Sequence, residues 1–337
     1  MRPAIAVGEA LRERGATVTF AGTPDRVESR LVPEAGFELD TFPISGLPRR
    51  PSAAQLRATW KASRAPARCL AILGRRRPDV VLGGGGYVAG PMVLAARARG
   101  IPSALTEADA HLGLANRLAA PFARKVFLAY EIPGRNGPKY EVVGRPIPAA
   151  HLRGTRESGR AHFGLPADEP VVAVFGAFAG ARSLNELAVE AWGATSLAVV
   201  HQTGERDFAA FKARVSRAGY VMIPSTDDFG ELLHAADLAI SRAGGTVWEL
   251  AAAGTPAILV PYPHATADHQ TLNARFFERH GGAIVVPDVE LDRVPGLVAE
   301  LLADPDRLGR MRAAMKAIAR PEAAARVAEG VLALART

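Results

Sequence analysis

Val80-Val81-Leu82-Gly83-Gly84-Gly85-Gly86-Tyr87-Val88-Ala89-Gly90-Pro91 reads as a strand entering a backbone-only loop and leaving as a helix. Glycine reaches φ > 0 and lets amide N–H groups approach a ligand with no Cβ in the way. A helix that follows turns its positive end toward an anion held in such a loop. The pattern recurs. Val171–Phe175 runs into Gly176-Ala177-Phe178-Ala179-Gly180-Ala181. Leu238–Ile240 runs through Ser241-Arg242-Ala243-Gly244-Gly245-Thr246 into Trp248-Glu249-Leu250. Repeated strand–glycine-loop–helix units predict a phosphate-bearing ligand and an α/β chain.

Outward from these loops, apolar runs alternate with helical stretches. In the first half the expected order is a helix from Pro3 to Arg14, strands at Thr17–Ala21 and Phe37–Phe42, and a basic helical stretch over 48–77. The strand Val80–Leu82, a helix Gly90–Arg99, the strand Pro102–Leu105, a helix Leu112–Phe122 and the strand Lys125–Leu128 follow. The second half restarts at Val171–Phe175 and places strands at Ala198–His201, Tyr220–Ile223, Leu238–Ile240, Ala257–Val260 and Ala283–Val286. It ends in helices Asp304–Ala319 and Glu322–Ala335, broken at Pro321. Strands followed repeatedly by helices argue for parallel sheets. At 337 residues the chain suits two domains. Residues 148–168, polar and rich in Gly and Pro, read as a linker.

A doubly wound sheet begins with a central strand, a glycine loop and then its first helix. Here the first helix starts almost at Met1. A strand of about five residues with its loop needs roughly 12–18 residues upstream. The expectation is a natural chain that extends before Met1, or else a true truncation that folds poorly or lacks activity.

Composition narrows the function. No apolar run approaches the roughly 20 residues that span a bilayer, and no secretory signal is visible. One cysteine, Cys69, rules out an intramolecular disulfide framework and fits a reducing cytoplasm. The net charge of +7 is uneven, with 22 Lys/Arg against 12 Asp/Glu in residues 1–150 and 19 against 22 thereafter. No acidic residue lies between Asp40 and Asp79, a window that holds Trp60, Arg75, Arg76 and Arg77. A basic, partly apolar helix of this kind reads as an anionic membrane-surface contact or as a solvated helix. Each cation near such a leaflet contributes about 1 kcal/mol. No nucleic-acid motif or aromatic stacking platform accompanies the charge. His264 and His269 have no third ligand at suitable spacing, so no metal is expected.

These loops, taken together, resemble a known family. Asp79-Val-Val-Leu-Gly-Gly-Gly-Gly-Tyr87-Val-Ala-Gly-Pro91 is similar to the acceptor-side loop of the undecaprenyldiphospho-muramoylpentapeptide β-N-acetylglucosaminyltransferases. Gly22-Thr23-Pro24-Asp25, Ile44-Ser45-Gly46-Leu47, Gly113-Leu114-Ala115-Asn116-Arg117 and Val142-Val143-Gly144-Arg145-Pro146 continue the match. So do His201-Gln202-Thr203-Gly204, Ser241–Thr246 with Glu249, and Asp268-His269-Gln270 with Asn273. The resemblance covers nearly the whole chain, in the family's order.

It implies a GT-B fold of two Rossmann-like doubly wound domains facing a cleft, with the first strand of the N-domain missing. Residues 1–148 would be the acceptor and membrane-associated domain, with the C-terminal helix 322–337 packed back on it. Residues 149–321 would bind the UDP-sugar. The implied activity is inverting transfer of N-acetylglucosamine from UDP-GlcNAc to the muramoyl 4-hydroxyl of a polyprenyl-diphosphate acceptor, at the cytoplasmic membrane face and with no cofactor. The implied donor contacts are Arg145, Gly176, Phe178, Gly180, Thr226, Arg242, Gly244, Gly245, Thr246, Glu249, Gln270 and Asn273, with Glu249 accepting from ribose hydroxyls. On the acceptor side are Gly83, Gly84, Gly85, Gly86, Tyr87, Asp109 and Asn116. Glu107 is a candidate base.

The departures are specific. The family's Gly-Gly-His segment, whose histidine is a candidate base, would precede Arg2-Pro3-Ala4. Phe178 brings no hydroxyl to the second-half loop, and Asp109 puts a carboxylate where an amide is usual. They keep two alternatives open: transfer to another lipid or natural product, and an inactive sugar-nucleotide-binding protein.

Overall fold

A computed structural model describes residues 1–44, 53–176 and 180–336, and for 53–64 the backbone alone. The chain divides into two compact units, Met1–Pro148 with Glu322–Thr337, and Ala149–Pro321.

The first unit runs α1 (Arg2–Glu13), β1 (Thr19–Gly22), α2 (Glu28–Glu34), β2 (Glu38–Thr41), α3 (Ala53–Arg76), β3 (Val81–Gly83), α4 (Gly86–Ala98), β4 (Ser103–Glu107), α5 (Leu114–Ala119), β5 (Lys125–Leu128) and β6 (Tyr140–Val142). The second runs α6 (Arg156–Phe163), β7 (Val171–Phe175), α7 (Arg182–Trp192), β8 (Ala198–Gln202), α8 (Glu205–Lys212), β9 (Tyr220–Ile223), α9 (Phe229–Ala235), β10 (Leu238–Ser241), α10 (Val247–Ala253), β11 (Ala257–Leu259), α11 (His269–Arg279), β12 (Ala283–Val285), α12 (Val294–Leu302) and α13 (Pro305–Ile318). The last helix, α14 (Ala323–Ala335), returns to the first unit.

In the second unit six strands form one parallel sheet in the order β12-β11-β10-β7-β8-β9. Numbered from β7, this is the doubly wound order 6-5-4-1-2-3, and the winding reverses between β7 and β10. Val171–Phe175 is buried at every position, because helices cover both faces of a parallel sheet. Val172, Val174, Leu238, Ile240 and Ile258 join Leu184, Trp192 and Phe211 in the core of this unit.

In the first unit the strands form two parallel sheets, β1-β2 and β3-β4-β5-β6. By position β1 and β2 correspond to β8 and β9, and β3, β4 and β5 to β10, β11 and β12. Among the described residues no strand stands between β1 and β3 where β7 stands in the other unit. Helix α1 packs across both sheets. Its Val7, Ala10 and Leu11, spaced for one helical face, meet Val18 ahead of β1, Val80 and Leu82 at β3, and Val327, Ala328 and Val331 of α14.

The stretch read as a linker contains structure. Thr155 caps α6 by accepting from the Ser158 N–H, and the Ser158 hydroxyl oxygen accepts from the Thr155 N–H. Gly164 ends the helix in the left-handed conformation. The polarity that resembles a linker belongs to a capped surface helix.

Candidate functional site

The reversal between β7 and β10 brings two loops out side by side at the carboxyl ends of the strands, where ligands bind in open α/β sheets. Leu238–Ser241 pairs with Val172–Phe175, so the loop opened by Gly176 and the loop from Arg242 to Thr246 are neighbours. Gly180 lies against the turn after β8. A Cβ there would stand 2.0 Å from the Thr203 carbonyl oxygen, at φ +77°. Phe178 lies outside the described residues.

Below this turn sits a buried polar chain. The Tyr220 hydroxyl meets His201 Nδ1 at 2.9 Å, and His201 Nε2 meets Asn185 Oδ1 at 3.0 Å. Asn185 Nδ2 donates to the Thr203 carbonyl at 3.0 Å and to Asp207 at 3.2 Å. The amide oxygen can only accept, so Nε2 carries the imidazole proton and Nδ1 accepts from the tyrosine. Burial pushes the His201 pKa down to about 3. The unfolded chain therefore binds one more proton than the folded chain between about pH 6.5 and that value. Stability is expected to fall by about 1.4 kcal/mol per pH unit from this group as pH drops through the window. Urea titrations at successive pH values should show a slope about one proton shallower for His201→Gln than for the parent.

Two residues expected at the donor hold the loop itself. Arg242 is buried; its Nη1 donates to the Val260 and Pro261 carbonyls, both at 3.2 Å, and pairs with Asp288 at 2.6 Å, while Nη2 donates to Ser183 Oγ at 2.7 Å. Asn273 is fully buried and donates to the Ala243 carbonyl at 3.2 Å. They brace the loop from behind. A buried guanidinium already spread over a carboxylate, a hydroxyl and two carbonyls is committed to structure.

Gly244, Gly245 and Thr246 lead straight into α10, their carbonyls accepting from Val247, Trp248 and Leu250. Glu249 lies in the first turn, its side chain 11% exposed, with Oε1 2.7 Å from His151 Nδ1. Gln270 Oε1 accepts from the Tyr262 N–H at 2.9 Å, which leaves its NH2 as the end able to donate to a ligand. Just before it, Ala267 and Asp268 both sit at positive φ, +53° and +52°. Such strain in non-glycine residues costs on the order of 1–3 kcal/mol each and collects at functional sites. Thr226 follows β9, and its hydroxyl accepts from the Asp228 N–H.

In the first unit Gly85 and Gly86 take φ +89° and +71°, with nothing near the position of a Cβ. α4 starts at Gly86, four residues earlier than expected, so Gly86, Tyr87, Val88 and Ala89 form its first turn. A Cβ on Gly84 would touch Ala4 of α1 at 3.3 Å, and Gly83 is packed beneath Leu105. Tyr87 is half exposed, with the Arg26 guanidinium 5.6 Å from its ring centre.

Glu107 is not placed as a base. Its buried carboxylate accepts from the Ala108, Asp109 and Gly113 N–H groups and from Asn116 Nδ2. It organises the loop to α5, and Asn116, itself buried, also donates to the Thr106 carbonyl. Asp109 lies partly exposed on that loop. Arg145, expected at the donor, belongs to the first unit.

Of the cations expected at a membrane, Arg75 reaches Asp40 at 2.5 Å, and Arg76 reaches Glu38 at 2.5 Å and Asp40 at 2.7 Å. Hydrogen bonds from Arg76 hold the Asp40 carboxyl below its usual range. Arg77 is exposed, and the Trp60 side chain lies outside the described residues. An apolar patch that the sequence reading missed lies on α5 and just beyond it. Leu114, Leu118 and Phe122, four residues apart, are 63%, 65% and 45% exposed, with Arg117 and Arg124 exposed among them. The four-residue spacing was the available signal.

Residues 1–128 match the glycosyltransferase family 28 N-terminal domain and residues 171–327 its C-terminal domain. A protein of Rubrobacter xylanophilus named UDP-N-acetylglucosamine--N-acetylmuramyl-(pentapeptide) pyrophosphoryl-undecaprenol N-acetylglucosamine transferase is 40% identical over 98% of this chain and 99% of its own length. An Acidithiobacillus ferrooxidans protein of the same name is 42% identical over 97% and 92%. The crystal structure of MurG from Acinetobacter baumannii has a TM-score of 0.77 and 28% identity, covering 98% of this chain and 95% of that one.

Proposed function

The chain belongs to glycosyltransferase family 28, and from that premise we propose that it moves N-acetylglucosamine from UDP-GlcNAc to N-acetylmuramyl-(pentapeptide) pyrophosphoryl-undecaprenol, making lipid II of peptidoglycan. The observation that carries this reading is the β7/β10 reversal, with two glycine-bearing loops at its mouth and Glu249 one turn into α10.

The donor diphosphate would lie against the backbone N–H groups of Gly176 and Gly180 and of the Gly244–Thr246 loop, which also stabilise the charge on departing UDP. Glu249 takes the ribose hydroxyls, and Gln270 donates to the transferred sugar. The muramoyl 4-hydroxyl displaces UDP at the anomeric carbon with inversion, forming a β1→4 bond. The acceptor's diphosphate fits the Gly84–Gly86 loop at the start of α4, a 13-residue helix with no side-chain cap, whose first N–H groups have no partner within the helix.

Incubation with radiolabelled UDP-GlcNAc and lipid I is expected to give labelled lipid II, with UDP-glucose and UDP-galactose poor donors. No product from lipid I, or equal use of the three sugars, would remove this reading.

The acceptor lives in a bilayer, and among the described residues no helix is long and apolar enough to cross one. Contact with an anionic surface through Leu114, Leu118 and Phe122, fringed by Arg117 and Arg124, is therefore part of the proposal. Burying one such side chain contributes about 1.5–3 kcal/mol. Leu118→Glu with Phe122→Glu is expected to lower partition to phosphatidylglycerol vesicles at least tenfold, and charge reversal at Arg75, Arg76 and Arg77 to lower it less. Cosedimentation measures both. Equal binding by the α5 variant would exclude this patch.

A further inference from the structure

We infer that His151 is a positioning residue for the sugar nucleotide, setting the carboxylate of Glu249 for the ribose diol; the inference rests on the ribose role given to Glu249 above. His151 lies in the short turn Ala149–Leu152, at the very start of the second unit. Three features fix it there. A Cβ on Gly230 would stand 2.3, 2.9 and 3.1 Å from the carbonyl oxygens of Arg153, His151 and Ala150, so only glycine lets this turn lie so close on α9. The imidazole packs against the Phe229 ring, with centres 5.5 Å apart. Its Nδ1 then stands 2.7 Å from Glu249 Oε1, both side chains nearly buried.

An ionised carboxylate only accepts, so His151 Nδ1 carries the proton of this bond. A charge-assisted bond this short fixes the carboxylate's rotamer and occupies one lone pair of Oε1. The remaining lone pairs keep one direction, as a rigid pair of acceptors for two adjacent hydroxyls. Without His151 the same carboxylate would have to be ordered by the ligand, and that ordering weakens binding. His151 acts through Glu249 and touches no reacting atom.

The test measures UDP and 2′,3′-dideoxy-UDP binding by calorimetry on His151→Asn, His151→Gln, His151→Ala and Glu249→Ala. The asparagine amide can stand where Nδ1 stands, whereas the glutamine amide reaches past it. His151→Gln and His151→Ala are expected to weaken UDP about tenfold, the size of one charge-assisted bond. They should bind dideoxy-UDP as the parent does, raise KM for UDP-GlcNAc and leave kcat within about twofold. His151→Asn should restore UDP affinity, which a merely structural role would not require. If Glu249→Ala lowers the UDP to dideoxy-UDP preference and the histidine variants keep it, the positioning role is overturned and the ribose role survives. If Glu249→Ala itself keeps the preference, the ribose role fails and takes this inference with it. Comparing the asparagine and glutamine variants decides the matter even if His151→Ala does not fold.

Discussion

Glu249→Ala is expected to weaken UDP-GlcNAc binding at least about 100-fold while the fold survives. Two ribose hydroxyls donating to a carboxylate make charge-assisted bonds, each contributing about 1.5–3 kcal/mol, and about 1.4 kcal/mol is a factor of ten in affinity. The position tolerates the change structurally. It lies in the first turn of α10, where alanine is a better helix former than glutamate, and the imidazole left behind keeps Phe229 against its face. The loss should fall on KM, because these bonds form with the bound substrate and do not grow in the transition state. Calorimetry with UDP, beside a thermal melt of the same preparation, measures both halves. Parent-like affinity in a folded variant would remove Glu249 from the donor site and with it the main reason for locating the nucleotide at the β7/β10 reversal.

Much of the architecture was legible because parallel strands buried on both faces leave unbroken apolar runs. Val171–Phe175, Tyr220–Ile223 and Lys125–Leu128 fall on β7, β9 and β5. The glycine loops stood out for the same reason they matter, since Gly85, Gly86 and Gly180 occupy positive φ. Boundaries fared worse where glycine enters a helix: Gly86 opens α4, although its residue type reads as loop. α6 was hidden by its own polarity, yet the Thr155 and Ser158 capping pair was present in the sequence as a starting signal.

Side-chain roles were least legible where two distant segments meet. Glu107, Asn116, Arg242 and Asn273 are polar residues on or beside motif loops, and from sequence Glu107 reads as a candidate base and the other three as ligand contacts. Many of their partners are main-chain groups brought close by folding: the Gly113 N–H for Glu107, the Thr106 carbonyl for Asn116, the Val260 and Pro261 carbonyls for Arg242 beside the Asp288 and Ser183 side chains, and the Ala243 carbonyl for Asn273. Backbone carries no residue-type signature, so no spacing rule points to such a contact. His151 escaped notice for the opposite reason. It stands in the apparent linker with no motif around it, 98 residues from the carboxylate it meets.

Arg160→Met is expected to cost the second unit about 3–5 kcal/mol, the range for removing one partner from a buried charged pair. Arg160 is 2% exposed. Its Nε donates to the Ala235 carbonyl, Nη1 to those of Pro166, Ala167 and Glu169, and Nη2 to Asp237 at 2.6 Å. Methionine fills similar volume, so packing is largely kept and the loss isolates the polar terms: four carbonyls lose a donor and Asp237 its main cation. The position of Asp237 gives the loss its reach. Its carboxylate accepts from the Val171 N–H, and its own N–H donates to the Val171 carbonyl, so it ties the start of β7 to the start of β10. These are the two strands whose far ends carry the donor loops. The buried Trp192 and Trp248 report this unit by fluorescence in urea. A midpoint shift equivalent to less than about 1 kcal/mol would mean the carbonyls find water in place of the guanidinium. The expected large shift, with near-normal UDP affinity in the fraction still folded, would show that Arg160 secures the frame of the site from the end opposite the nucleotide.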